Sequence, residues 1–278
     1  YFYRQGMLAE VKTLADYVIA RHYPQVQNAE NPYIALLNCV IGAQAKLVAH
    51  WMHLGFIHGV MNTDNTSVSG ETIDYGPCAF MDNFVFHQCF SSIDLEGRYA
   101  YSRQPQIALW NLSRFAESLL SLLDNNQDNA IALAEHALGN FQEIYQAHWL
   151  NGWRTKLALE AGDDAQDSRF ILDYLQCLRL SNLDFTYTNR NLWQGFSGEL
   201  PGVDMRDKVK LMDWLNLWRE RLKTQGLNNE TVKDQLLAAN PAYIPRNYWV
   251  EQAITQARDE SDFSLFNDLM ELFKNPFV

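Results

Sequence analysis

The chain has 278 residues, with 33 Asp and Glu against 22 Lys and Arg, for a formal charge of -11. An average surface of that sign repels nucleic acid and anionic membranes, so neither is an expected partner, and the length is enough to bury a sizeable core as one large domain or two smaller ones. Four cysteines, Cys39, Cys78, Cys89 and Cys177, make no CxxC pair and are too sparse for a disulfide framework; with no stretch that reads as a membrane span or a leader, they point to a soluble protein of a reducing, cytoplasmic compartment. Their default role is apolar packing.

Helical periodicity dominates the chain. Residues 7–20 put Leu8, Val11, Leu14, Ala15 and Val18 on one stripe, which Pro24 stops. After Asn31-Pro32, residues 33–54 carry Ile34, Leu37, Ile41, Leu47, Val48 and Trp51, a long and largely buried helix ending near Gly55. The character then changes. Short β-prone pieces, Thr66-Ser67-Val68 and Thr72-Ile73, flank Ser69-Gly70-Glu71 and predict a tight hairpin, with an irregular stretch over residues 76–97 behind it. Loops of that length inside a compact domain are usually functional. Helices resume over 107–123, 128–149, 167–180, 205–223, 230–239 and 248–273, the last with a break near Asp259, while residues 195–202 form a Gly- and Pro-containing connector. Trp149, Trp153, Trp214 and Trp218 fall at helical spacings and are expected in the core. The charges around Arg206-Asp207-Lys208 and Arg219-Glu220-Arg221 are expected on solvated helix faces. The fold class is mainly α with a small β-hairpin element, and the missing initiator Met suggests a piece of a longer polypeptide.

The chemistry concentrates in HGVMNTDN, residues 58–65. Kinase-like phosphotransferases carry His, any residue, Asp, four residues and Asn; here Val60 stands in the Asp slot. If residues 66–68 pair with 72–73, Asn65 and Asp74 come to the same open end, about 5 Å apart across the strands. Two oxygen donors there suit Mg²⁺, which takes one or two ligands from protein and the rest from water and substrate phosphate. Asp74-Tyr75-Gly76 is similar to the kinase Asp-Phe-Gly turn that holds metal over nucleotide phosphates, with Gly76 letting the chain turn away. Taken singly, Asp64-Asn65 is an ordinary turn or cap and His58 an ordinary buried histidine. Their order after a long apolar helix resembles the C-terminal lobe of a protein-kinase-like fold.

HGVMNTDNTSVSGETIDYGPCAFMD, residues 58–82, closely resembles the signature of the selenoprotein O (YdiU) family, and the likeness extends to Gly97-Arg98-Tyr99, Gln104-Pro105, Trp110-Asn111-Leu112, Asn240-Pro241 and Pro245-Arg246-Asn247. That resemblance implies a protein adenylyltransferase of bacterial cytoplasm, moving AMP from ATP to Ser, Thr or Tyr hydroxyls of protein substrates with Mg²⁺ or Mn²⁺. It implies Asp64 as catalytic base, Asn65 and Asp74 as metal ligands, and His58 and Gly76 as structural at the site. It further suggests Cys89 as a redox candidate able to pair with a C-terminal tail. The family's nucleotide-binding N-terminal lobe and that tail have no counterpart here. Residues 1–278 are therefore expected to form one kinase-like C-terminal lobe: helices over 1–55, catalytic loop, metal hairpin and activation-like segment over 56–104, and a helical subdomain over 105–278. A kinase-like phosphotransferase, or a pseudokinase scaffold that binds nucleotide or a partner without catalysis, remains open. Substrate proteins, metal preference and oligomeric state are not legible.

Overall fold

The computed structural model describes residues 2–198, 200–201, 203 and 208–278. The architecture is mainly α, organised around one central helix. Helix α1 (Leu8–His22) leads into α2 (Pro32–Leu54), which starts where Asn31 accepts the N–H groups of Tyr33 and Ile34 with Pro32 in the first turn, and stops at Gly55 in a left-handed conformation. Leu37, Ile41, Ala45 and Val48 of α2 are fully buried. Around α2 pack α3 (Gln104–Leu123), α4 (Gln127–Gly139) and α5 (Phe141–Lys156).

By length and composition alone α2 could cross a membrane, with a mean hydropathy of 1.4 in its most apolar window. The expectation that no stretch reads as a span is therefore corrected for this helix. Its apolar character is accounted for by burial among α3, α4 and α5.

The second half builds on α5. It comprises α6 (Asp164–Leu180), α7 (Phe185–Asn191), α8 (Gln194–Ser197), α9 (Val209–Thr224), α10 (Asn229–Ala239), α11 (Asn247–Glu260) and α12 (Ser264–Lys274). Trp153, Trp214 and Trp218 are buried as expected; Trp149 is half-buried. The helix expected over 128–149 is in fact two, broken at Asn140 after Gly139. Arg219 and Arg221 do not form a solvated face: Arg219 donates to the Gly195 and Gly198 carbonyls, and Arg221 pairs with the buried Asp167 at 2.6 Å, alongside Arg154. A carboxylate taken from water needs such partners, and the two guanidiniums hold Asp167 below the usual carboxylate range against the opposing effect of burial. Arg206-Asp207 lies outside the described residues.

The expected hairpin is not a β ladder. Strand β1 (Phe56–Ile57) pairs antiparallel with β2 (Ala79–Phe80), in the register Phe56 opposite Phe80 and Ile57 opposite Ala79. Residues 66–73 instead carry a short turn over 68–70, and side chains of α2 and of the residue that ends α1 have claimed the carbonyls a cross-strand partner would need: Gln44 Nε2 donates to Ser67 O at 2.6 Å and Tyr23 Oη to Val68 O at 2.5 Å. Gly70, left-handed at φ 76°, lies so close to α2 that a Cβ there would sit 2.7 Å from the Ala43 methyl.

Candidate active site

The loop over residues 58–76 is suspended from α2 and α3 by polar side chains buried on their apolar stripes. Gln104 clamps its entry, accepting from the His58 N–H at 3.0 Å and donating to Phe56 O at 2.9 Å. Asn111 spans its middle, with Nδ2 donating to Met61 O at 3.1 Å and to Thr66 Oγ1 at 2.9 Å, so the short 3-10 turn Thr63–Asn65 is held at both ends. Trp51 Nε1 donates to Thr72 Oγ1 at 3.0 Å, and Tyr99 Oη to Asn62 Oδ1 at 2.7 Å. Buried amides with satisfied donors fix a unique geometry, since each broken bond would strand a polar group without water.

His58 is 1 % exposed and its Nε2 lies 2.8 Å from Ile73 O. A carbonyl only accepts, so Nε2 carries the proton. This bond fastens the residue just before Asp74 to the start of the loop. Gly59, at φ 82°, is the glycine the loop needs there, since a Cβ would sit 2.8 Å from Pro77 O.

Asn65 Nδ2 donates to Val60 O at 3.1 Å, and among the described residues Oδ1 accepts no hydrogen bond. Asp74 is left-handed at φ 56°, and its carbonyl accepts from Gly76 N–H at 2.8 Å in a tight three-residue turn. The turning role expected of Gly76 thus falls to Asp74: Gly76 is not left-handed, and a Cβ on it would make only ordinary contact, 3.5 Å from Asp74 Oδ1. Asp64 and Asp74 are exposed, and among the described residues neither carboxylate takes a hydrogen bond or ion pair.

Asn65 and Asp74 are thus anchored at neighbouring points of the loop rather than across a ladder. Asn65 is tied to Val60 and the residue before Asp74 to His58, two positions away. Among the described residues no group of three His, Cys, Asp or Glu could cage a metal. An amide oxygen and one carboxylate still meet the one or two protein ligands Mg²⁺ asks for, so the donor set fits a metal that also holds phosphate. Cys89 is a free thiol whose Sγ contacts Asp94 Oδ2 at 3.3 Å; burial and that carboxylate push the thiol up, favouring the protonated form.

Gln44, Gln104 and Asn111 are the functional residues that sequence reasoning missed. Gln44 and Asn111 stood as lone amides on otherwise apolar helical stripes, while Gln104, named with Asn111 only within the family likeness, fell before the helix expected from 107; Gln44, Asn111 and Gln104 are 2 %, 4 % and 0 % exposed respectively.

The fold is mostly helical and presents oxygen donors, Asp64, Asn65 and Asp74, on a turn held by buried side chains. Residues 1–274 match the family described as protein adenylyltransferase SelO, and the chain belongs to that family. It is similar to the protein nucleotidyltransferases YdiU of Geobacillus kaustophilus, 45 % identical over 98 % of this chain, of Rhizobium meliloti, 44 % over 100 %, and of Halalkalibacterium halodurans, 46 % over 98 %. The chain spans 56 %, 57 % and 55 % of those proteins' lengths.

Proposed function

We propose that this chain is the kinase-like C-terminal lobe of a cytoplasmic protein adenylyltransferase that moves AMP from ATP to Ser, Thr or Tyr hydroxyls of other proteins. The observation that carries it is the pair Asp64 and Asp74, two carboxylates without partners among the described residues, on a turn whose backbone is tied at Met61, Val60 and Ile73. A turn held only for structure has no use for them. Asn65 and Asp74 would hold Mg²⁺ or Mn²⁺, which when bound neutralises charge developing on the phosphates. Asp64 orients the acceptor hydroxyl and takes its proton as the oxygen bonds to the α-phosphorus; the bond from that phosphorus to the bridging oxygen breaks, and pyrophosphate leaves. Four free thiols suit a reducing compartment.

The test uses the full-length protein with ATP labelled at either the α- or the γ-phosphate. Label from the α position alone should reach protein acceptors, and Asp64→Asn should slow single-turnover transfer by about 10²- to 10⁴-fold while ATP binding persists. Incorporation of γ-label would make the protein a phosphotransferase, and unchanged transfer in Asp64→Asn would return Asp64 to a turn residue.

A further inference from the structure

Beside the catalytic turn lies an open groove of about 1050 Å³, lined by Arg4, Thr63, Thr66, Trp110, Arg114 and Phe115. Thr63 and Thr66 bracket Asp64-Asn65 in sequence, so the groove borders the turn that carries the proposed base. Its floor carries Trp110, 43 % exposed, an unusual cost for the largest apolar side chain. Two guanidiniums flank that indole: Arg98 at 4.8 Å from the ring centre and Arg114 at 5.7 Å.

The two arginines are not equivalent. Arg114 is neutralised by Glu117 at 3.0 Å, one helical turn away. Arg98 is braced through its backbone, whose N–H donates to Asp94 Oδ1 at 2.8 Å, and through ring contacts with Trp110 and Tyr99, the tyrosine that bonds Asn62 of the catalytic loop. Among the described residues its guanidinium meets no carboxylate. On a chain of net charge -11, a pre-oriented cation seated on an aromatic shelf beside the reactive turn is a local inversion of sign. Arg stacked on an aromatic face keeps its hydrogen-bonding fork free for a carboxylate, and Trp with Arg is the pairing that dominates protein recognition sites.

We propose that this groove seats the acceptor protein and that Arg98, held on Trp110, receives the carboxylate of an acidic residue flanking the accepting hydroxyl. The assignment rests on the proposed transfer reaction for its meaning, but acceptor binding can be measured without turnover. A groove of this size and openness suits an extended peptide better than the enclosed pockets that hold small molecules.

The experiment uses the full-length protein and two fluorescent peptides, identical except that the Ser, Thr or Tyr is flanked by Glu in one and Gln in the other, with binding read by anisotropy. The Glu peptide should bind more tightly, and Arg98→Gln should weaken it about tenfold while leaving the Gln peptide and ATP affinity unchanged. Trp110→Ala should weaken both peptides, and Arg98→Lys should recover part of the Glu preference. Circular dichroism should show all variants folded, because both side chains are exposed. Equal affinity of the two peptides for the parent protein, equal loss of both in Arg98→Gln, or a loss in ATP affinity instead would overturn the proposal. If γ-label rather than α-label is transferred, the reaction reading fails while the Glu preference stands, so the two failures are distinguishable.

Discussion

Asp74 occupies a backbone conformation that L-residues avoid, at a cost of about 1–3 kcal/mol, although Asp and Asn tolerate it better than most. That cost is sustained by the His58 bond to Ile73 O on one side and the Gly76 N–H on the other. Asp74→Asn keeps the shape, an oxygen donor and the tolerance for positive φ while removing the charge. The thermal midpoint of the full-length protein should therefore move by no more than about 2 °C, whereas metal-dependent transfer should fall by about 10²-fold or more. Normal turnover in this variant, measured across a metal titration, would show that the carboxylate is not a ligand. Val60 fits the same picture: its carbonyl, the part every residue shares, is what the loop uses to position Asn65.

At the scale of elements, α2 and α5 approach each other closely at Gly152. A Cβ on Gly152 would sit 2.0 Å from His53 Cε1, and His53 is itself locked by a 2.8 Å bond from Nε2 to Trp149 O. Burial lowers this imidazole to about 4, so it is neutral at physiological pH. Gly152→Ala should destabilise the protein by about 1–3 kcal/mol or more, as overpacking in a rigid contact does, and urea unfolding would detect it; an unchanged midpoint would mean that the helices separate freely. The long helices were legible because their apolar periodicity ran for many turns. The break between α4 and α5 was masked because apolar spacing continues across Asn140, although Gly139-Asn140 was a stop signal in its own right. Helix α7 was missed because seven residues, mostly Thr, Asn and aromatic, carry no periodicity; it is set by Asp184, whose side chain caps Tyr187 N–H and also pairs with Arg246. The order of the site residues could be read from sequence. Their geometry could not, because a hairpin and a turn hung from helix side chains place Thr, Ser, Val and Gly at the same positions.

For the whole molecule, one buried cation makes a marked contribution to the response to pH. Lys156, at the end of α5, is 5 % exposed; among the described residues its ammonium meets only the Trp153 ring at 5.8 Å, and burial lowers it from 10.5 to about 7. Between those values the unfolded chain holds more protons than the folded one, so this residue makes stability rise with pH across that window, and its penalty is complete below about pH 7. Lys156→Met should stabilise the fold by a few kcal/mol at pH 6, with the gain shrinking as pH approaches 10. A gain that is constant with pH in denaturant unfolding would show the lysine to be solvated. The wider architecture has a different consequence at the active loop. Tyr23, Gln44, Gln104 and Asn111 all donate to main-chain carbonyls, of Val68, Ser67, Phe56 and Met61. Such anchors recognise that a residue is present and not which residue it is. The helical frame can therefore keep its grip while side chains along the loop drift in evolution, so new specificity can arise at the reactive edge without rebuilding what holds it.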